Sequence, residues 1–225
     1  MVPGDVLREI IEIAKDQSIY VMSDEVYRPL FHSIAKEEAP PSILSLGYER
    51  TIGTGSMTKA YSLAGIRVGW IASSSREIIE ACASARDYTT ISVSQIDDRI
   101  ASFALDSHCV GNLMDRNLKL AKGNLAILEE FITEHKEFCV WVRPRASTTA
   151  FVRFSRDGRP VDDVAFCELV LDKIGVFFTP GSRCFGEEFK GFIRIGYVCE
   201  TEVLQDGLAA LRAFMKNEFA SVPLA

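Results

Sequence analysis

Ser56-Met57-Thr58-Lys59-Ala60-Tyr61-Ser62-Leu63-Ala64-Gly65-Ile66-Arg67-Val68-Gly69-Trp70 places one lysine and one arginine in surroundings that ordinary surface charges do not choose. Arg67 falls in an apolar run, Ile66 to Ala72, that reads as a buried strand. A guanidinium there is costly unless an anion neutralises it. That anion is either a bound ligand or an Asp or Glu in a structural ion pair. Lys59 follows hydroxyl donors at Ser56 and Thr58. The rival reading for such a lysine is a solvated surface charge, and its context argues against that.

Working outward, Val6, Leu7, Ile10, Ile11, Ile13 and Ala14 recur with helical period after Pro3-Gly4-Asp5, with Asp5 as candidate N-cap. Ile19 to Met22 is a short apolar strand running into Ser23-Asp24-Glu25, which puts Asp24 at a strand's carboxyl end. Ligands gather at such ends in open α/β sheets. Further strands are expected over 51–55 and 66–72, and a helix over 75–88, giving the order α-β-β-β-α with strands too apolar for a solvated face. A long helical region spans 93–134, interrupted near His108 to Gly111, and is expected to bridge two domains. Beyond it the pattern turns to α+β: strands over 138–143, 148–154, 176–179 and 192–198, and helices over 162–174 and 202–217.

An imine-forming lysine, hydroxyls and an arginine able to hold a phosphate together meet the needs of pyridoxal 5'-phosphate, whose aldehyde and phosphate lie at opposite ends of one ring. Ser56-x-Thr58-Lys59 with Arg67 beyond it and Ser23-Asp24-Glu25-Val26-Tyr27 before it resembles the class I/II aminotransferases of the fold-type I pyridoxal phosphate superfamily. The resemblance implies that Lys59 carries the cofactor imine, that Asp24 pairs with the pyridine nitrogen, and that Tyr27 hydrogen-bonds the ring's phenolic oxygen. It implies Ser56 and Arg67 as phosphate ligands, with Thr58 beside them among the cofactor-binding residues. It continues through Pro180-Gly181-Ser182 to Phe192-Ile193-Arg194-Ile195-Gly196, where Arg194 is implied to bind the substrate carboxylate. A guanidinium on an apolar strand suits bidentate capture of a carboxylate, although a surface edge strand explains it equally simply.

The implied fold is α/β: residues 1–105 form part of the large cofactor domain, with a mixed, mostly parallel sheet and helices. Residues 106–225 form an interdomain helix and a small α+β domain. The implied reaction moves an amino group between an L-amino acid and a 2-oxo acid, with a homodimer expected for the full-length form. The segment Pro144-Arg145-Ala146-Ser147-Thr148-Thr149-Ala150-Phe151 resembles the cyclising, capreomycidine-synthase type of the same superfamily, so cyclisation or lysis is the enzymatic alternative. Family members extend further at the N-terminus, where a phosphate-capping loop, a ring-stacking aromatic and an N-P-x-x-P-T-G asparagine are found. Met1-Val2-Pro3-Gly4 resembles the middle of such a protein. The 225 residues by themselves are therefore expected to bind cofactor weakly and to transaminate poorly, or to be a catalytically silent remnant. Activity restored by an upstream segment is the corresponding test.

Composition narrows the alternatives. A chain of 225 residues, 48% hydrophobic and 25% charged, is that of a folded protein of one large or two modest domains. A net charge of −6 and the lack of a basic run interleaved with aromatics argue against a nucleic-acid surface. No apolar run approaches the roughly 20 residues that span a bilayer. The six cysteines are scattered without C-x-x-C spacing, which favours reduced thiols and a cytoplasmic setting. Gly53 to Lys59 fails as a phosphate-binding P-loop, since no glycine precedes Lys59 and Ala60 follows it. Ser56-x-x-Lys59 also matches the serine motif of penicillin-binding proteins, but its companion motifs are missing. His32, His108 and His135 share no ligand spacing, so no metal is expected.

Overall fold

The computed structural model describes all 225 residues, which form two compact units: Met1–Leu118 with Arg145–Ser147, and Lys119–Pro144 with Thr148–Ala225. The first opens with helix α1 (Gly4–Asp16), whose N-cap is Pro3, so Asp5 sits in the first turn instead of capping it. There its carboxylate still complements the positive end of the helix dipole. Strands β1 (Val21–Asp24), β2 (Thr51–Ser56) and β3 (Gly69–Ala72) form a mixed sheet in that order. β1 runs parallel to β2, and β3 runs antiparallel to it. Helices α2 (Arg76–Arg86) and α3 (Gln95–Leu105) follow, each started by a serine side chain, Ser75 and Ser94, that accepts a hydrogen bond from the first turn.

One expectation fails here. Arg67 is not inside a buried strand. It is exposed, closes a short 3-10 helix (Ala64–Ile66), and has left-handed backbone geometry with φ 53°. β3 begins only at Gly69, and its residues are largely exposed. The start of the apolar run does not extend the strand because Ile66 and Val68 pack sideways against buried Met57, Ala101 and Ala104, together with Tyr61, Leu63 and Leu113. Trp70 and Ile71 are exposed, as is Met22 on β1.

Helix α4 (Val110–Glu134) runs continuously from the first unit into the second, after the expected interruption. In the second unit, β4 (Cys139–Trp141), β5 (Thr149–Arg156), β6 (Arg159–Pro160), β7 (Thr179–Pro180) and β8 (Phe192–Gly196) pair antiparallel, with β5 and β8 at the centre. The strand expected over 176–179 shrinks to Thr179–Pro180. Ala150, Val152 and Phe154 on β5 and Ile193 and Ile195 on β8 are buried on one face. Helices α5 (Asp163–Ile174) and α7 (Thr201–Asn217) add Phe166 and Phe214, whose rings meet edge-on at 5.7 Å. All six cysteines are free, and burial pushes the Cys139 and Cys167 thiols up to about 12, so neither forms a thiolate at neutral pH.

Two buried polar side chains hold this unit's loops. Asn124 of α4 donates from Nδ2 to the Tyr197 and Cys199 carbonyls, both at 2.8 Å, and accepts from Thr201 Oγ1. Asp163, 1% exposed, accepts from the Ser182 N–H and hydroxyl at 2.9 Å and from the Gly191 N–H at 3.1 Å. It thereby fixes both the start of helix α6 (Gly181–Phe185) and the turn into β8. Asp163→Ala strands two backbone donors, and at about 1–3 kcal/mol for each unsatisfied donor it should lower stability by about 2–6 kcal/mol. Urea unfolding with an unchanged slope and a lower midpoint is the expected result. A midpoint equal to that of the parent protein would show that water satisfies both donors.

Candidate active site

Strand direction brings the first unit's candidate residues to one edge of its sheet. β1 and β2 are parallel and end at Asp24 and Ser56, so both carboxyl ends lie on the same side. β3 is antiparallel to β2 and pairs Gly69 with Ser56, so its amino end, preceded by Arg67, lies on that side too. Lys59 and Thr58 sit in the turn leaving β2, and Tyr27 in the turn leaving β1. Asp24, Tyr27, Ser56, Thr58, Lys59 and Arg67 are thus gathered at one sheet end by three short strands.

Asp24 is exposed and stands directly opposite Thr54 in the β1–β2 register. Its Oδ1 accepts from the Thr54 hydroxyl at 3.0 Å and from the Val26 N–H at 3.3 Å. Both bonds fall on one oxygen, which leaves Oδ2 as acceptor for an outside donor such as a protonated ring nitrogen. The neighbouring Glu25 takes a structural role instead: its carboxylate accepts from Ser42 Oγ and the Ile43 N–H and pairs with Arg28 at 3.2 Å. Of the two acids in the Asp24-Glu25 pair, only the first is left for a ligand.

The turn carrying Lys59 is tightly held while its lysine side chain is not. Met57 and Ala60 have no exposed surface, whereas Lys59 is exposed and forms no ion pair. The Met57 N–H donates to the Val68 carbonyl at 3.0 Å, the Leu63 N–H to the Met57 carbonyl at 2.9 Å, and the Thr58 N–H to Ser56 Oγ at 3.2 Å. Arg67 pairs with no carboxylate; its Nη1 donates to the Ala64 carbonyl at 3.0 Å. The structural ion-pair reading of Arg67 is therefore not what the molecule shows. Two unpaired cations, two hydroxyls and one half-used carboxylate suit a ligand bearing a phosphate at one end and a protonated nitrogen at the other.

Gly55 and Gly69 keep the backbone close at this edge. A Cβ on Gly55 would lie 2.4 Å from the Trp70 ring, and one on Gly69 3.0 Å from the Gly55 carbonyl oxygen. Tyr61, 6.4 Å from Trp70 between ring centroids, has its phenol pushed above its usual range by burial and so stays protonated. Thr54, Tyr61 and Trp70 were not singled out from the sequence. Only the alternation of Thr54 with Ser56 along β2 signals a shared face.

Arg194 belongs to the second unit. On β8 it alternates with buried Ile193 and Ile195, is exposed, and pairs in register with Phe151 of β5 and Thr179 of β7. β8 lies between those strands, so the edge-strand explanation is removed. Its Nη2 donates to Thr179 Oγ1 at 3.3 Å, and its guanidinium carbon lies 5.6 Å from the Phe185 ring centroid. No carboxylate pairs with it, and the flanking ring and hydroxyl restrict how the guanidinium can turn.

Known proteins resemble the chain in sequence and fold. The family model for aminotransferase class I and II matches residues 1–211. Among curated proteins the chain is similar to capreomycidine synthase of Streptomyces vinaceus, at 29% identity over 90% of this chain and 49% of that protein. It is also similar to the aspartate aminotransferase of Thermotoga maritima, at 24% identity over 94% of this chain and 51% of the relative. The chain thus spans about half the length of the curated relatives it matches. Among solved structures, a PLP-dependent aminotransferase from Streptococcus suis superposes with a TM-score of 0.83 at 35% identity, covering 96% of this chain and 54% of that one. The PLP-dependent cyclase OrfR superposes with a TM-score of 0.80 at 22% identity, over 96% and 55% of the two chains, a likeness of fold only. With a matching family model along nearly its whole length and the fold of type I PLP-dependent enzymes, the chain belongs to the aminotransferase class I and II family.

Proposed function

We propose that this chain carries the lysine, the ring-nitrogen carboxylate and the carboxylate-binding arginine of a pyridoxal-phosphate-dependent aminotransferase acting on an L-amino acid and a 2-oxo acid. The observation that carries this reading is the gathering of Asp24, Ser56, Lys59 and Arg67 at one sheet end, with both cations lacking carboxylate partners. Residues 1–105 belong in this reading to the cofactor domain and 106–225 to the interdomain helix and small domain.

When bound, the cofactor supplies an electron sink for charge developing at the substrate's α-carbon. The protein's residues do the rest. Asp24 keeps a proton on the pyridine nitrogen and so maintains that sink. Arg67 and the Ser56 hydroxyl hold the phosphate, with Thr58 adjacent. Tyr27 donates to the ring's phenolic oxygen. Lys59 would anchor the cofactor and, as a general acid/base, would take the substrate's α-proton and return it elsewhere. Arg194 fixes the substrate by its carboxylate through two parallel N–H bonds.

The direct test is transfer of labelled nitrogen from an L-amino acid to a 2-oxo acid by a protein containing this chain. Recovery of label in the new amino acid is the expected outcome. The similarity to capreomycidine synthase favours one rival on the same residues, cyclisation or elimination. A cyclic or fragmented product without nitrogen exchange would decide for it.

We further propose a homodimer in the cytoplasm. Ile96, Ile100 and Phe103 follow one face of α3 and are exposed at 74%, 40% and 72%, while its small residues Ala101 and Ala104 are buried. A helix with its large apolar residues outward marks an association surface. Phe103→Glu should shift the mass seen by light scattering to that of one chain; an unchanged mass would place the interface elsewhere.

A further inference from the structure

We propose that Asn117 is the positioning residue for Lys59, an inference that rests on Lys59 being the cofactor-bearing lysine. Asn117 lies in α4, is 1% exposed, and donates from Nδ2 to the Ala60 carbonyl at 2.8 Å. That carbonyl belongs to the residue immediately following Lys59. The bond links residues 57 positions apart in the chain.

The amide is itself oriented. Arg116 donates to Asn117 Oδ1 from Nε at 3.2 Å and Nη2 at 3.0 Å, which fixes the oxygen toward the guanidinium and the NH2 toward Ala60. A buried asparagine in a helix interior is a poor choice for helix stability, because its side chain competes for backbone groups and loses solvation. Here each end of the amide has a partner, so the desolvation cost is offset only as long as the Ala60 carbonyl stays where it is. The clamp therefore acts on the backbone of the turn, not on the lysine side chain. Met57 and Ala60, both without exposed surface, bracket Lys59, and the Ser62 N–H closes the turn on the Lys59 carbonyl at 3.2 Å. Lys59 is thus launched from a peptide with almost no freedom while its Nζ remains exposed. A lysine that must reach first a cofactor aldehyde and then an α-carbon needs a fixed root and a mobile tip.

Asn124, seven residues further along the same helix, provides a control. It is equally buried and also holds carbonyls, but those of Tyr197 and Cys199, in the other unit. Asn117→Asp replaces the donor with an acceptor at nearly constant shape, and Asn124→Asp does the same away from Lys59.

The experiment compares these two variants with the parent by two readouts that do not require turnover. In the first, the protein is treated with pyridoxal 5'-phosphate and borohydride, and the label at Lys59 is divided by that at exposed Lys119 in the same molecule, so that global stability cancels. Asn117→Asp should lower this ratio by about tenfold, the change given by an energy near 1.4 kcal/mol, whereas Asn124→Asp should leave it unchanged. In the second, backbone hydrogen exchange at Ser62 and Leu63 should quicken at least about tenfold in Asn117→Asp, with Ile193 and Ile195 unaffected. Parent protein labelled no more at Lys59 than at Lys119 would refute the role of Lys59, and the exchange at Ser62 and Leu63 would then still decide the clamp. A parent-like label ratio together with parent-like exchange in Asn117→Asp overturns the proposal.

Discussion

Lys59→Ala is expected to abolish both covalent labelling by pyridoxal 5'-phosphate with borohydride and amino transfer. The parent should carry the label on the peptide containing Thr58-Lys59-Ala60. The reason is positional: Lys59 is the exposed lysine at the sheet end where Asp24 and Ser56 terminate their strands, and the turn beneath it is held by buried Met57 and Ala60. A positioned acid/base contributes about 10²- to 10⁴-fold in rate, and the anchoring role is lost as well, so the residual rate should fall below that range. Because the Lys59 side chain forms no ion pair and is exposed, its removal should leave the melting temperature within the scatter of surface substitutions. Label found on another lysine, or persisting in Lys59→Ala, would remove the assignment.

Arg194→Ala should weaken binding of carboxylate-bearing substrates by about 2–4 kcal/mol, the scale for deleting one partner of a hydrogen-bonded charge pair. That corresponds to roughly 30- to 1000-fold in dissociation constant at 1.4 kcal/mol per decade. The label at Lys59 should be unaffected, since Arg194 bonds to Thr179 and flanks Phe185, and neither is a residue assigned to the cofactor. Arg194→Lys keeps the charge but loses the planar fork and the stacking on Phe185, so it should recover only part of the affinity. If cofactor labelling falls while substrate affinity holds, Arg194 serves the cofactor and not the carboxylate.

Both predictions use residues that could be picked out before any coordinates, Lys59 by its motif and Arg194 by the resemblance to the aminotransferases. The helix expected over 162–174 is present at Asp163–Ile174, where Asp162 caps it and Gly175 ends it in left-handed geometry, each a preference written in a single residue. The strand expected over 192–198 is present at Phe192–Gly196, and its period of two sets Arg194 opposite to buried Ile193 and Ile195. Asp24 was placed at a strand's carboxyl end by the switch from apolar to polar residues, and β1 does end there.

What the sequence could not determine were partnerships between distant residues. Strand order and direction decide that Asp24 faces Thr54 and that Arg67 arrives beside Ser56, and these depend on which backbones pair, not on any side chain's own preference. The run from Ile66 to Ala72 read as a buried strand because apolar residues say that something is buried but not against what. Ile66 and Val68 were claimed by the helix bearing Ala101 and Ala104, which left Arg67 exposed in a left-handed turn. Asn117 shows the same limit most sharply. In sequence it is one polar residue in a long helix; only the fold brings the Ala60 carbonyl within 2.8 Å of it. A buried amide is stabilised solely by the partner that tertiary structure supplies.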